Sequence, residues 1–318
     1  MQPRDSERAR PLPDPTLLEV LDSDVLLRCA SYLDADELAR LGRASAAFGT
    51  PQAGQQRSLA NEAAHQRFQQ SATDDERRCL PKQEDESDIG LYRALEQLRE
   101  PLSFDELAGD GFSLQEQHPA RVTRTVTHPA RPARVTHTLG WSTAVSGLVM
   151  RGGKHFVQFK ITANNGYQGS HIVDLGVIRP VSLTNGIDLG ADWRGSVNPV
   201  DITSRDDPEV SEKLRSQRTS RWGNSDIHCC SYDCDDGHCR VTDWDTYVPD
   251  YEWHGCEGLG GIGTIGLLLD LDEGTLSVFK NHRYLGVMKG SGLSGEYCWF
   301  TSVCTPCAVS MLKSRAPN

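Results

Sequence analysis

The sequence predicts a mainly β protein, an antiparallel β-sandwich preceded by a small α-helical region. Three observations predict it. Gly, Pro, Thr and Val take over from about residue 110, where strand-length alternation begins. Residues 264–287 hold three short apolar runs separated by two turn signals. Before residue 100, apolar residues recur three and four apart behind capping residues, which is the helical period.

Taken in order, residues 1–15 are rich in Pro, Arg and Asp and read as a disordered tail. Val25, Leu26, Cys29, Ala30 and Leu33 then follow helical spacing, with Asp22 or Ser23 to cap the start. Asp34 followed by Glu37 is a capping-box signal for a second helix through Leu38, Leu41, Ser45 and Phe48, ended by residues 50–54. Two helices this short cannot bury both of their apolar faces alone. Leu59, Ala63, Arg67 and Gln70 continue as helix. Leu91, Leu95 and Leu98 mark another, which stops before Pro101. The acidic run between them, Lys82 to Asp88, reads as a solvated loop. His118-Pro119-Ala120-Arg121 recurs as His128-Pro129-Ala130-Arg131, a ten-residue duplication on a strand edge. Thr264 to Asp270 is β-branched and leucine-rich, as a strand buried on both faces would be. Asp272-Glu273-Gly274 supplies a turn, Leu276 and Val278 alternate with Thr275 and Ser277, and Asn281-His282 turns the chain into Tyr284 to Val287.

That last order of strand, D-x-E-G turn, "TLSVFKN", turn and "LGV" resembles the C-terminal hallmark of the SPRY domain. Trp141 to Ile161 and Gly176-Val177-Ile178-Arg179 resemble its earlier strands, so the resemblance covers about residues 118–313. It implies a β-sandwich that binds a substrate protein or peptide through loops at one end. Leu21 to Asp34 followed by Ala35 to Phe48 resembles the F-box, with "YLD" and "DELARL" blocks at matching places. Asp22 stands where the family usually has Pro, and Ala30 where it has a larger aliphatic residue. The F-box resemblance implies docking on a Skp-type adaptor and hence a cullin ubiquitin ligase, with Leu26, Leu33, Leu38 and Leu41 as apolar anchors. The expected organisation is therefore a tail over 1–15, an F-box-like segment over 16–53, a helical connector over 54–109 and the sandwich over 110–318.

Composition narrows the function. The net charge of −11 gives no general help in binding phosphates, so nucleic acid is not an expected partner. No apolar run approaches the roughly 20 residues that span a bilayer, so neither is a membrane. Ten cysteines without a secretory signal at the start predict reduced thiols and a cytoplasmic or nuclear, intracellular setting. No nucleophile elbow or protease signature surrounds any His or Cys, so no catalytic residue, enzyme activity or cofactor is expected. Gly258-Leu259-Gly260-Gly261-Ile262-Gly263 fits G-x-G-x-x-G but enters a β-branched run instead of a helix, so it is no dinucleotide fingerprint. Asp270-Leu271-Asp272 is no calcium loop, because Thr275 stands where an EF-hand needs Gly. His228-Cys229-Cys230, Cys234, His238 and Cys239 could in principle close a zinc site, but no two C-x2-C pairs are arranged for one, and the segment reads as an exposed turn of reduced cysteines. Cys298, Cys304 and Cys307 read as small buried hydrophobes.

Aromatic residues in the long loops, Tyr167, Trp193, Trp222, Tyr232, Trp244, Tyr247, Tyr251 and Trp253, fit binding hot spots, and half or more of them fit equally the inner faces of a sandwich. Of these, Trp222, Tyr251 and Trp253 are the candidate substrate-protein contacts. The leading reading is a non-enzymatic adaptor that captures a substrate for a ligase. Two others stay open: a stand-alone SPRY binding module with a helical cap, and a zinc-binding or redox-sensing protein using residues 228–239.

Overall fold

A computed structural model describes residues 21–52, 54–115, 117–125, 140–163, 171–314 and 316. The tail over 1–15, the second copy at His128–Arg131 and Tyr167 lie outside the described residues. The helices are α1 (Ser23–Ala30), α2 (Ala35–Ala44), α3 (Ala46–Gly49), α4 (Leu59–Ser71), α5 (Asp74–Cys79), α6 (Asp88–Arg99) and α7 (Pro208–Arg215). The chain divides into two compact units, residues 1–73 with 82–97 and residues 74–81 with 98–318. Among the described residues, no helix is long and apolar enough to cross a membrane.

In the first unit the capping box forms as the sequence predicts. The Asp34 side chain accepts from the Glu37 amide at 2.7 Å, and Glu37 accepts from the Asp34 amide at 3.1 Å. The apolar faces that α1 and α2 cannot bury against each other meet α4. Leu26, Ala30, Ala35 and Leu38 are buried in this unit together with Leu59, Ala60, Ala63, Ala64 and Phe68. The F-box-like segment and part of the predicted connector are thus one folding unit. Nor is Asp88 solvated as the acidic run suggested. It is buried at the start of α6 and accepts from Lys82 Nζ (2.7 Å) and Arg57 Nε (3.0 Å), with His65 Nδ1 at 3.2 Å. Burial alone would raise this carboxyl, but the bond to Lys82 and the charges of Lys82 and Arg57 hold it below the usual carboxylate range.

The second unit is a sandwich of two antiparallel sheets. Its strands are β1 (Phe104–Ala108), β2 (Phe112–Gln115), β3 (His118–Arg124), β4 (Ser142–Ser146), β5 (Lys154–Ala163), β6 (Val173–Ile178) and β7 (Cys229–Asp233). They continue with β8 (Cys239–Thr242), β9 (Gly263–Asp270), β10 (Thr275–Lys280), β11 (Arg283–Lys289), β12 (Cys298–Val303) and β13 (Cys307–Lys313). One sheet runs β1-β4-β12-β6-β7-β8 and the other β11-β10-β9-β5-β13-β3-β2. The first strand begins at Phe104, ahead of the boundary read at 110, and β3 is paired on both sides instead of lying on an edge.

The 264–287 hallmark folds as its turn chemistry requires. β9 pairs with β5 and β10 and so lies inside its sheet, and Gly274 turns at φ 71°. Asn281 and His282 both take positive φ, 48° and 68°, the backbone that a two-residue hairpin needs. Between the sheets, Val157, Phe159, Leu175, Val177, Leu267, Val278, Trp299 and Val309 share one core.

The other face of the six-stranded sheet is covered too. Val145, Ile178, Cys229, Cys298 and Phe300 project from it into a second apolar cluster, which is completed by Val181, Leu183, Trp193, Val197, Val210, Leu214, Trp222 and Trp244. The long stretch between β6 and β7, which carried few local signals, therefore forms a layer over this sheet. One polar knot lies beneath it. Arg240 Nη1 pairs with the buried Asp174 at 2.9 Å and also bonds Asp201, while Asn198 Nδ2 donates to Asp174 (3.1 Å) and Asp201 (2.9 Å). Burial pushes the Asp174 carboxyl up and Arg240 opposes that.

Candidate functional loop surface

The 228–239 segment is not an exposed turn. It is β7, a tight turn and β8, and Cys229, Cys230, Cys234 and Cys239 are all buried. Successive residues of a strand point to opposite faces, so Cys229 enters the second cluster and Cys230 the sandwich core. Burial pushes the Cys229 and Cys234 thiols well up, and among the described residues no three His, Cys, Asp or Glu side chains are gathered as a metal site requires. The acidic residues that suggested exposure occupy only the turn. Cys298, Cys304 and Cys307 are buried, as read from the sequence.

Trp222 also moves from surface to core. It is 0% exposed, its ring centroid 5.1 Å from that of His228 and 6.0 Å from that of Trp244, so a partner has no access to it. Trp193, Tyr232 and Trp244 are buried likewise. His228, between the two tryptophans, has its pKa lowered to about 4 by burial and by the charge of Arg179. His155 is lowered to about 4 by burial, against its hydrogen bond to the Gly152 carbonyl. Both folded values lie below the ordinary 6.5, so the unfolded chain takes up these protons first as pH falls. Stability is expected to decline from pH 6.5 to about 4 and then level off for these two groups, by up to about 3 kcal/mol each. Urea midpoints across that range check this, and His228→Phe is expected to remove about half of the decline.

Tyr251 and Trp253 are half-buried braces on the segment leading from β8 toward β9. Tyr251 exchanges both backbone hydrogen bonds with Cys239 at 3.1 Å, and its hydroxyl accepts from Cys239 Sγ at 3.0 Å. Trp253 Nε1 donates to the Gly237 carbonyl at 2.8 Å. Its ring lies so close over Gly255 that a Cβ there would come 2.6 Å from Trp253 Cζ3 and 2.2 Å from the Leu285 carbonyl oxygen. The braced segment lies along β8 and β11, edge strands of the two sheets, and guards the sandwich side they leave open. It also presents what the sequence reading did not single out. Tyr247 is 75% exposed, and Val248 beside it is exposed as well. The signal was available, as an apolar pair inside an otherwise acidic loop.

Tyr247 sits in an acidic stretch of chain between Asp243, Asp245 and Asp250, and further carboxylates lie elsewhere on the β7–β8 turn and the segment after Tyr251. Asp235, Asp236 and Glu252 are exposed, and Asp250 reaches Arg240 at 3.3 Å. Glu257 is clamped by Lys280 (2.7 Å) and Arg283 (2.5 Å), whose hydrogen bonds hold its carboxyl down at about 2. Exposed carboxylates in the same stretch of chain as an accessible aromatic ring can hold a cationic segment by charge and by cation–π contact.

Of the four predicted adaptor anchors, Leu26 and Leu38 are buried inside the helical unit and Leu33 and Leu41 are half-buried. The exposed apolar residues of this region are Leu21, Val25 and Tyr32, the last 78% exposed.

No protein-family model matches the chain, and no curated protein matches it. Solved structures similar to it include the SPRY domain of human HERC1, at 12% identity over 67% of this chain and 98% of that one, with a TM-score of 0.40. The TRIM65 PSpry domain is similar at 15% identity over 70% and 96%, TM-score 0.40, and a human SPRY domain at 9% over 65% and 96%, TM-score 0.35. The sandwich architecture itself stands on this chain's own strand pairing.

Proposed function

We propose that the chain is a non-enzymatic, SPRY-type protein-interaction adaptor whose sandwich captures a partner through the Tyr247–Trp253 loop. The observation that carries this is an exposed Tyr247 and Val248 on a segment pinned by Tyr251 and Trp253. A rigid scaffold presenting an accessible aromatic side chain loses little conformational entropy on binding. The acidic rim favours a partner segment carrying Lys or Arg. The braces hold the loop and the exposed pair makes the contact, so Tyr251 and Trp253 act through position.

The helical unit is the other end of the adaptor. Its F-box-like blocks support docking on a Skp-type adaptor and through it a cullin ligase. With Leu26 and Leu38 buried, we assign the contact to the exposed Val25 of α1 and to Leu21 and Tyr32, which flank that helix. Affinity enrichment with quantitative mass spectrometry tests both ends together. Tyr247→Ser plus Val248→Ser is expected to lose the substrate proteins and keep the adaptor, and Val25→Glu plus Tyr32→Glu to do the reverse. Enrichment unchanged by either pair would leave the proposal without support.

A further inference from the structure

Antiparallel sheets that face water usually alternate apolar-in with polar-out. The outer face of the seven-stranded sheet breaks that rule over several strands. Val157, Phe159, Leu267, Val278 and Val309 fill the core, so the residues between them point outward. Register places Leu312 beside Gln158, Gln158 beside Gly266, Gly266 beside Phe279, and Phe279 beside Tyr284 in one cross-strand row. Two residues along, Phe156 lies beside Leu268, then Ser277 and Val287. The rings form a chain, with Phe156 and Phe279 centroids 5.4 Å apart and Phe279 and Tyr284 centroids 5.1 Å apart. Gly266 gives them a shallow seat, since a Cβ there would meet Phe156 Cζ at 2.8 Å and Phe279 Cβ at 3.2 Å. The row is open to solvent at its ends, where Tyr284 is 54% and Leu312 47% exposed, while Phe279 between them is 6% exposed and Phe156 half-buried. A cleft of about 610 Å³ adjoins Phe156 and Leu268, with Cys79 as a further apolar wall and Asp75, Arg78, Lys154 and Asp272 around it.

On the other side of the aromatic row, Arg121 and Lys160 flank Ser310 on neighbouring strands. Lys154 is paired with Asp270 at 3.0 Å, whereas Arg121 and Lys160 form no ion pair among the described residues. A chain with a net charge of −11 thus sets unpaired cations beside an exposed apolar patch. Rows two residues apart are separated by about 6.6–6.8 Å, the spacing of residues i and i+2 in an extended peptide.

We propose that this face is a second docking surface, for an extended partner segment with the pattern acidic–x–apolar–x–apolar. The carboxylate meets Lys160 and Arg121, the first apolar side chain lies on the half-buried Phe156 ring where it covers Gly266, and the second enters the cleft beside that ring. This surface is independent of the Tyr247 loop. The test is fluorescence anisotropy of the full chain with a labelled peptide GESFSLG and its counterpart GKSFSLG. The acidic peptide is expected to bind about five-fold or more tightly than the basic one. Phe156→Ser, which removes the half-buried outward ring that the apolar side chains rest on, should abolish binding of the acidic peptide. Lys160→Glu should reverse the charge preference, and Tyr247→Ser should change neither affinity. Equal affinity for the two peptides, no binding at millimolar peptide, or a preference untouched by Lys160→Glu would overturn the proposal.

Discussion

Replacing Arg179 with Met is expected to destabilise the sandwich by about 3–5 kcal/mol, the range for breaking a buried charged network. Arg179 is fully buried just after β6, with its guanidinium carbon 4.0 Å from the Tyr297 ring centroid and 5.6 Å from that of Trp222. It donates to the carbonyls of Ser294 (2.8 Å), Glu296 (3.0 Å) and Ser225 (3.2 Å). Those carbonyls belong to two irregular segments, one before β7 and one before β12, so one side chain ties both to the sheet. Burial lowers its pKa to about 10, which still leaves it charged at neutral pH. Methionine fills much of the volume and supplies no donor, so the carbonyls lose their bonds while the packing is largely kept. The check is the urea midpoint by tryptophan fluorescence. A loss below about 1 kcal/mol would mean that the loops satisfy themselves some other way.

The helical unit has its own keystone. Asp88→Ala is expected to cost this unit about 1–2 kcal/mol, because it removes the shared acceptor of Lys82, Arg57 and His65, although Lys82 (42% exposed) and Arg57 (40% exposed) keep water as a partner. Asp88→Asn keeps the shape and removes the charge, so it should fall between native and Ala. The native Asp88 carboxyl titrates below its ordinary value. Its contribution is therefore present above the usual carboxylate range and is lost as pH falls through its depressed folded pKa. Two compact units need not unfold together, so the measurement is amide hydrogen exchange read separately over α4 and α6 and over β5 and β9. Faster exchange in the helices alone is the expected pattern.

What was legible in the sequence was local. The Asp34–Glu37 capping box, the Gly274 turn and the Asn281-His282 hairpin each depend on residues within a few positions of one another, and each formed as read. The alternation read in β10 holds only for its inner face, because Ser277 and Phe279 on the outer face are buried as well as Leu276 and Val278. Residues 179–228 were not legible, because they pack as an irregular layer whose apolar residues follow the sheet beneath rather than a period of their own. Trp222 and Trp244 consequently looked like loop aromatics when they are core. The cysteine hairpin misled through its Asp-rich turn, which masked two buried strands. Leu26 and Leu38 looked like open anchors because the helix that covers them, α4, lies more than a dozen residues downstream of α2, whereas Leu33 and Leu41 stay half-buried. The outward aromatic row was invisible until register set Phe156, Phe279 and Tyr284 side by side across three strands.

The claim that this chain is a two-ended adaptor is tested most directly by mixing it with a purified Skp-type adaptor. At about 10 µM of each, any complex with a Kd near 1 µM is well populated on size exclusion. The native chain is expected to co-elute with the adaptor, and Val25→Glu plus Tyr32→Glu to elute alone while retaining its helical circular dichroism. A native chain that elutes apart from the adaptor at that concentration would contradict the account.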